Sequence, residues 1–474
     1  MSKKIRIAIF ALIWIPCFII FLNLYPGTLS CDTPNQLRQA MLDAPFENAN
    51  PFINTIILTF FVQIGTRISG ANLGVALYTV FQFTLYCLVM SYCIEVLVRR
   101  KVSKFIIAFA FVFYAANPIN LLYAVGMWKD SFFAIFFAAT VAFVYDSIDK
   151  KMDAKRFAVM FLLALAASLS RNSGWSSLLV FAVVLLIYSA RRKELGTVIA
   201  RILGDYGPRI RSGRVRYKLA FIEEKNTGII AACVGTASIL SLVIAFVLLP
   251  MIGIGNGGSN VARSIPLQQI ARTVTDNELT EDEKQQVSLW IKEGYSYEDI
   301  SEQYRPEISD PMKSLFDGQK INDNKKEFNR LWRDLGRKYI KSYIDATVDH
   351  TRAYWWPGEK VWRFDNSIFD NPYGVVRESK LKPGVDIAAT LYESYFSRIP
   401  FYKAWNSGAI VLWMILAGLI ISLMRKRPLA AIMYVIPIMI FLGLIPVSPA
   451  ALFRYMYSAF LTKPFLLAFL YIRR

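Results

Sequence analysis

This chain of 474 residues is poor in histidine and poor in charge. It has one histidine, His350, and 19% Asp, Glu, Lys and Arg, against roughly 25% in an ordinary soluble protein. A single imidazole excludes multi-histidine zinc centres and 2-His-1-carboxylate iron centres. The five cysteines, at 17, 31, 87, 93 and 233, show no CxxC spacing, which excludes a zinc ribbon and a dithiol redox motif. Four of them lie in apolar runs, leaving Cys31 without an evident disulfide partner. There is no GxGxxG after a strand pattern, no P-loop, no internal repeat and no low-complexity tract. What is abundant is apolar, with 55% hydrophobic and 14% aromatic residues.

Apolar runs approaching bilayer-crossing length, about 20 residues, recur near Ile5–Leu24, Leu73–Leu97, Phe105–Ala124, Ser131–Val144, Phe157–Trp175, Ser176–Tyr188, Ile229–Ile252, Ala409–Leu423, Leu429–Val447 and Phe453–Ile472. The pattern predicts an all-α integral membrane protein of about ten transmembrane helices. With both termini inside, the inward segments carry 26 Lys and Arg against 8 Asp and Glu, whereas 253–405 carries 22 against 23. That asymmetry is the positive-inside pattern. A further apolar run, Pro51–Gly65, would put the basic loops outside if it spanned, so it is read as a re-entrant or interface-lying helix on the outer face. Lys3-Lys4-Ile5-Arg6 also resembles the start of a signal peptide, but no small-x-small site follows its long apolar run, and an uncleaved anchor is expected. The basic segment Arg191–Lys225 reads as a topology-fixing loop against anionic lipid, with no nucleic-acid partner.

The expected division is an N-terminal transmembrane module, 1–252, with an outer loop at 25–72, then a mostly helical extracytoplasmic domain, 253–405, and a C-terminal transmembrane module, 406–474. The domain opens on a glycine-rich exit, Gly253–Ser259. Thr280 and Glu283 have capping-box spacing and open a helix expected to end at Gly294. Phe328, Leu331, Trp332, Leu335, Tyr339, Tyr343 and Ile344 recur at three- and four-residue spacing, which predicts one longer amphipathic helix.

Ionisable groups at a membrane rim are expensive and point to function. Asp32, Lys129, Asp130, Arg171 and Arg454 all fall at one depth on the outer side, although they are scattered in sequence. A carboxylate can act as general base on a hydroxyl, and cations at the rim can hold a phosphate whose hydrocarbon tail stays in lipid. Each residue also has a plainer reading. Arg171 and Arg454 could snorkel, Lys129 and Asp130 could form a local ion pair, and Asp32 could cap a helix that has Pro34 in its first turn. Lys463 falls mid-span, facing a cavity or belonging to a shifted helix. His350 either packs the outer domain or contacts substrate, and Trp355, Trp356 and Trp362 either stack on sugars or form an interface belt.

Tyr25-Pro26-Gly27-Thr28 through Asp32 to Gln36, followed by Asn50-Pro51-Phe52, resembles the first outer loop of bacterial membrane glycosyltransferases of the GT-C superfamily. Trp128-Lys129-Asp130-Ser131, Ser170-Arg171-Asn172-Ser173-Gly174 and Phe453-Arg454-Tyr455 resemble further blocks of that group, as do Ile265 to Arg272 and Ala353-Tyr354-Trp355-Trp356-Pro357. The resemblance implies an extracytoplasmic, inverting transfer from a polyprenyl-phosphate sugar to a cell-envelope glycan or glycolipid. It implies Asp32 as catalytic base and Arg171, Arg454 and Lys129 as donor-phosphate ligands, with Asp130, Gln36, Asn172, Tyr455, Trp355 and Trp356 as further substrate contacts. Related sequences often carry histidine where this chain has Asn50, which puts in doubt any acceptor or metal role that histidine has. No cofactor and no metal are expected. The placement implied is a bacterial plasma membrane. The competing reading is a transporter or flippase for a lipid-linked sugar, kept open by Asn117-Pro118 and Lys463 and weakened by the absence of repeats. A non-catalytic scaffold for envelope assembly is a third.

Overall fold

The computed structural model describes the backbone of residues 1–30, 32–203, 211–255, 263–359 and 365–472, and the side chains of these outside 193–225. Cys31, Trp362, residues 256–259 of the glycine-rich exit and the basic side chains between Lys193 and Lys225 lie outside the described residues. Among those described the structure is helical, with isolated β-bridges and no strand.

The first half of the chain forms helices α1 (Lys3–Asn23), the polar α2 (Thr33–Ala40), α3 (Phe52–Ile68), α4 (Ala71–Arg99), α5 (Lys104–Ala116), α6 (Pro118–Val125), α7 (Lys129–Ser147), α8 (Ala154–Leu169), α9 (Gly174–Leu203) and α10 (Arg211–Val243), the last continued by a π-helical turn and α11 (Leu249–Met251). Five segments are long and apolar enough to cross a bilayer: α1, α4, α7, Gly174–Arg192 and Asn226–Met251. The pair α5 and α6 makes a sixth if its 51° bend is taken within one span. The bend has a local cause: Pro118 keeps Asn117 extended because a residue before proline is sterically excluded from helix.

Helix α7 is the axis of the bundle, with Phe132, Phe133, Phe137 and Val141 at most 1% exposed. Helix α1 leaves Ile5, Leu12, Ile15 and Ile19 exposed, a face suited to an apolar surrounding. Helices α3 and α4 approach backbone to backbone. A Cβ on Gly65 would sit 2.1 Å from the Gly74 amide nitrogen, and one on Gly74 would sit 2.6 Å from Val62 Cα.

A separate lobe holds α12 (Ser264–Asp276), α13 (Glu281–Ser288), α14 (Glu298–Gln303), α15 (Asp310–Leu315), α16 (Gly318–Asp323), α17 (Lys325–Lys338) and α18 (Ile340–Trp355). Its own apolar core includes Ile270, Trp290, Leu315, Phe328 and Leu335. The capping box forms, but its helix ends at Ser288, and Gly294 takes a positive φ in the turn beyond. The expected single amphipathic helix is two, broken at Tyr339. Tyr343 still folds back, its hydroxyl donating to Trp332 O. The chain then returns along the bundle through residues 365–378, α19 (Ile387–Ser394) and α20 (Tyr402–Trp405), and ends in α21 (Gly408–Met424), α22 (Pro428–Met433), α23 (Val435–Leu444), α24 (Phe453–Leu461) and α25 (Lys463–Ala468). The last expected run is therefore split between α24 and α25, where Lys463-Pro464 opens a new helix, since proline lacks the donor the helix interior needs.

Candidate functional site

Backbone pairing brings the loop between α1 and α2 to the start of α7. Met127 N donates to Thr28 O (3.2 Å), Leu29 N to Ser367 O (3.0 Å), and Phe369 N to Leu29 O (3.1 Å). Gln82 of α4 fixes the link between α6 and α7, its amide donating to Ala124 O at 2.9 Å and Gly126 O at 2.7 Å. Trp128 Nε1 donates to Ser30 Oγ at 3.2 Å. Gly27 lies at φ +140°, where a Cβ would meet Thr79 Oγ1 at 2.4 Å, so the turn into this loop requires glycine.

These constraints place Asp32 against Lys129. Lys129 Nζ lies 3.0 Å from Asp32 Oδ2 and donates to Asn50 Oδ1 at 2.7 Å. From the far end of the sequence, Arg454 Nη1 reaches the same Oδ2 at 3.1 Å. Asp32 precedes α2 as its N-cap residue, yet its side chain makes no capping bond. The capping role read from the sequence is therefore not the one it plays, because two cations hold the carboxylate instead. Burial works against ionisation of this carboxyl. The charges of Lys129 and Arg454, with their hydrogen bonds, outweigh it and hold Asp32 below the ordinary value of 3.8.

A second pair lies beside the first. Asp130 is 1% exposed, and Arg171 Nη1 lies 3.2 Å from its Oδ1. The same Nη1 donates to Tyr455 O at 3.1 Å, while Arg454 Nη2 donates to Tyr455 Oη at 3.0 Å. Tyr455 thus ties the two pairs together, its ring facing both guanidiniums at 5.3 and 4.9 Å. All five rim residues meet in one cluster. Lys129 and Asp130 are not each other's partners, so the local ion pair read from their adjacency is replaced by two long-range ones.

The other residues singled out in the sequence fall around this cluster or away from it. Asn172 Nδ2 donates to Asn48 O (2.9 Å) and Ala49 O (3.2 Å), holding the turn that presents Asn50. Gln36 is buried on α2 and donates to Thr55 Oγ1, with no bond to the cluster. Trp355 and Trp356 end α18. The first accepts from Trp413 through its carbonyl, the second is half exposed, and neither bonds to the cluster. His350 is buried, with Nδ1 2.9 Å from Pro306 O and Nε2 2.9 Å from Ser448 O, which ties the lobe to the loop before α24. Lys463 is fully buried among Trp405, Phe460 and Phe113 and donates to Trp405 O.

The sequence matches a family of unknown function, DUF6020, over residues 41–203 and 219–474. The chain belongs to that family. No curated protein and no solved structure matches it. The DUF6020 match takes in Asn50, Lys129, Asp130, Arg171, Arg454 and Tyr455, whereas Asp32 precedes it. Three DUF6020 residues, Asn50, Gln82 and Arg377, escaped the sequence reading as site components. Asn50 was visible only as a departure from a pattern. Arg377 gave no signal, although it donates to Leu24 O, Gly27 O and Asn366 O and so staples the turn that leads to Asp32.

Among the described residues no group of three or more His, Cys, Asp or Glu could hold a metal. The cluster has three cations, Lys129, Arg171 and Arg454, against two carboxylates, Asp32 and Asp130. It carries one net positive charge, on an arrangement suited to an anion with several oxygens.

Proposed function

We propose that this is a multi-pass membrane glycosyltransferase, with about ten membrane-crossing or membrane-embedded segments and both termini cytoplasmic, in a bacterial plasma membrane. It transfers a sugar from a polyprenyl-phosphate donor to an extracytoplasmic envelope glycan or glycolipid. One observation carries the reading: a carboxylate, Asp32, lies 3.0 and 3.1 Å from two cations at the loop end of an apolar bundle. A phosphodiester needs the cations and an acceptor hydroxyl needs the carboxylate. Arg171 borders a small crevice lined by Phe133, Ser173, Ser176, Met439, Ile440 and Leu444, so the cluster lies beside apolar helix faces.

In this chemistry the acceptor hydroxyl oxygen forms a bond to the anomeric carbon from the face opposite the phosphate. The carbon–oxygen bond to phosphate breaks, polyprenyl phosphate leaves with the electron pair, and the hydroxyl proton passes to Asp32. Lys129, Arg454 and Arg171 stabilise the charge that grows on the leaving phosphate. No metal is required by these steps.

The test is a transfer assay with purified protein in liposomes, radiolabelled polyprenyl-phosphate sugars and envelope glycan extract. Label is expected to move from lipid to glycan and to stay on lipid with Asp32→Asn. Undiminished transfer by Asp32→Asn would remove Asp32 as base. A transporter reading draws on the 51° break at Asn117 and on buried Lys463. Under it, label would cross the bilayer chemically unchanged.

A further inference from the structure

The cations available to a donor phosphate are the ones that already hold the base. Lys129 Nζ and Arg454 Nη1 converge on a single oxygen of Asp32, Oδ2, and among the described residues nothing bonds to Oδ1. The Asp32 side chain is 38% exposed, and with both cations on Oδ2, Oδ1 is the oxygen left to accept from an incoming hydroxyl. Facing Asp32 are Lys129 from α7, Arg454 from α24 and the neutral amide of Asn50. Behind them stand Arg171, Asp130 and the Tyr455 hydroxyl. A carboxylate flanked by two cations is a weak proton acceptor, because each cation favours its charged form.

We propose that a phosphodiester anion at this cluster competes with Asp32 for Lys129 and Arg454, so that seating the donor is what makes Asp32 an effective base. The inference rests on the glycosyltransferase reading and adds an order to it. An acceptor hydroxyl that arrives first meets a carboxylate whose charge is already neutralised. Once the phosphodiester's single negative charge offsets the cluster's net positive one, the burial that opposes ionisation of Asp32 is no longer countered, and its proton affinity rises.

Farnesyl methyl phosphate is a suitable probe, since a phosphodiester has no group of its own titrating near neutrality. Its binding to the full-length protein in detergent is measured by calorimetry at pH 5.5 in two buffers of different ionisation enthalpy. The wild type is expected to take up a fraction of a proton per probe bound. Asp32→Asn is expected to show no linked uptake and to bind at least about fivefold tighter, the equivalent of losing one competing ion pair of about 1 kcal/mol. Probe binding with no proton uptake by the wild type, or with equal affinity in Asp32→Asn, overturns the coupling and leaves the phosphate site standing. Absence of binding to both proteins overturns the donor site and the coupling together. The proton uptake needs no variant, so it decides the question even if Asp32→Asn folds poorly.

Discussion

Asn50 accepts a hydrogen bond from Lys129 Nζ at 2.7 Å and donates from its own amide to Asp32 O at 3.4 Å. One neutral side chain therefore fixes both the cation and the backbone of the residue that the cation holds. Replacing Asn50 with Ala frees the Lys129 ammonium to swing within its remaining ion pair. Transfer is expected to fall by roughly 10–100-fold, the cost of about 1 Å of misplacement, with the melting temperature nearly unchanged. A loss of activity matched by a loss of folding would assign Asn50 a structural part only.

Arg171 and Asp130 form the better-buried ion pair, 12% and 1% exposed at the side chain. Removing one partner of such a pair leaves a charge uncompensated, typically at 3–5 kcal/mol, whereas removing both is far milder. Arg171→Leu is therefore expected to destabilise the protein by about 3 kcal/mol, and adding Asp130→Leu should restore most of it. Thermal melts of the two single variants and the double variant in detergent check this. Additive losses would mean that the two residues do not act as a pair.

Glu283 gives the lobe a titratable fastener. Burial raises its proton affinity somewhat. The Lys338 ammonium, the Thr280 amide and hydroxyl, and the Tyr339 hydroxyl more than reverse this and bring the carboxyl down to about 2 from the ordinary 4.5. A depressed carboxyl stabilises the fold fully above its unfolded value and loses that contribution as pH falls toward the folded one. Glu283→Gln should cost about 1 kcal/mol at pH 7. The difference from wild type should shrink below about pH 4.5 and vanish near pH 2, as followed by tryptophan fluorescence of Trp290.

Lys463 sits at 0% exposure with aromatic rings and one backbone carbonyl as company, and among the described residues no carboxylate pairs with it. Lys463→Met keeps the length and removes the uncompensated charge, so a gain on the order of 1 kcal/mol is expected, with transfer retained. Loss of an activity in this variant while its melting temperature rises would favour a mid-bundle role and the transporter reading.

The helices were legible because apolar runs of this length have few alternatives, and α1, α4 and α7 fall where their runs do. The rim cluster was legible for a related reason: a charge at the edge of an apolar bundle has to be accounted for, and only a handful exist there. The partners were not legible. Asp32 and Arg454 are 422 positions apart, and no periodicity reports a contact across that distance. The chain's local signals also misled in places. Asp32-Thr33-Pro34 reads as a capped helix start, but tertiary charge claims the side chain. The apolar spacing from Phe328 to Ile344 runs on through Tyr339, although the backbone does not. Asn50 was read only as a departure from a pattern, and Gln82 and Arg377 gave no signal, because each acts on backbone carbonyls or a lysine supplied by distant segments.

The return segment 365–378 pairs with Leu29 and, through Arg377, grips the turn at 24–27, whereas residues 264–343 are held together by a core of their own. The two stretches are consequently unequal under exchange. A chimaera that swaps 264–343 for the corresponding segment of another DUF6020 chain replaces that core as a unit and leaves the pairing around Asp32 in place. A graft extended through 378 also replaces the partners of Leu29 and of the turn at 24–27. The first stretch can vary as a unit around its own core, while the second must change in step with the loop that carries Asp32.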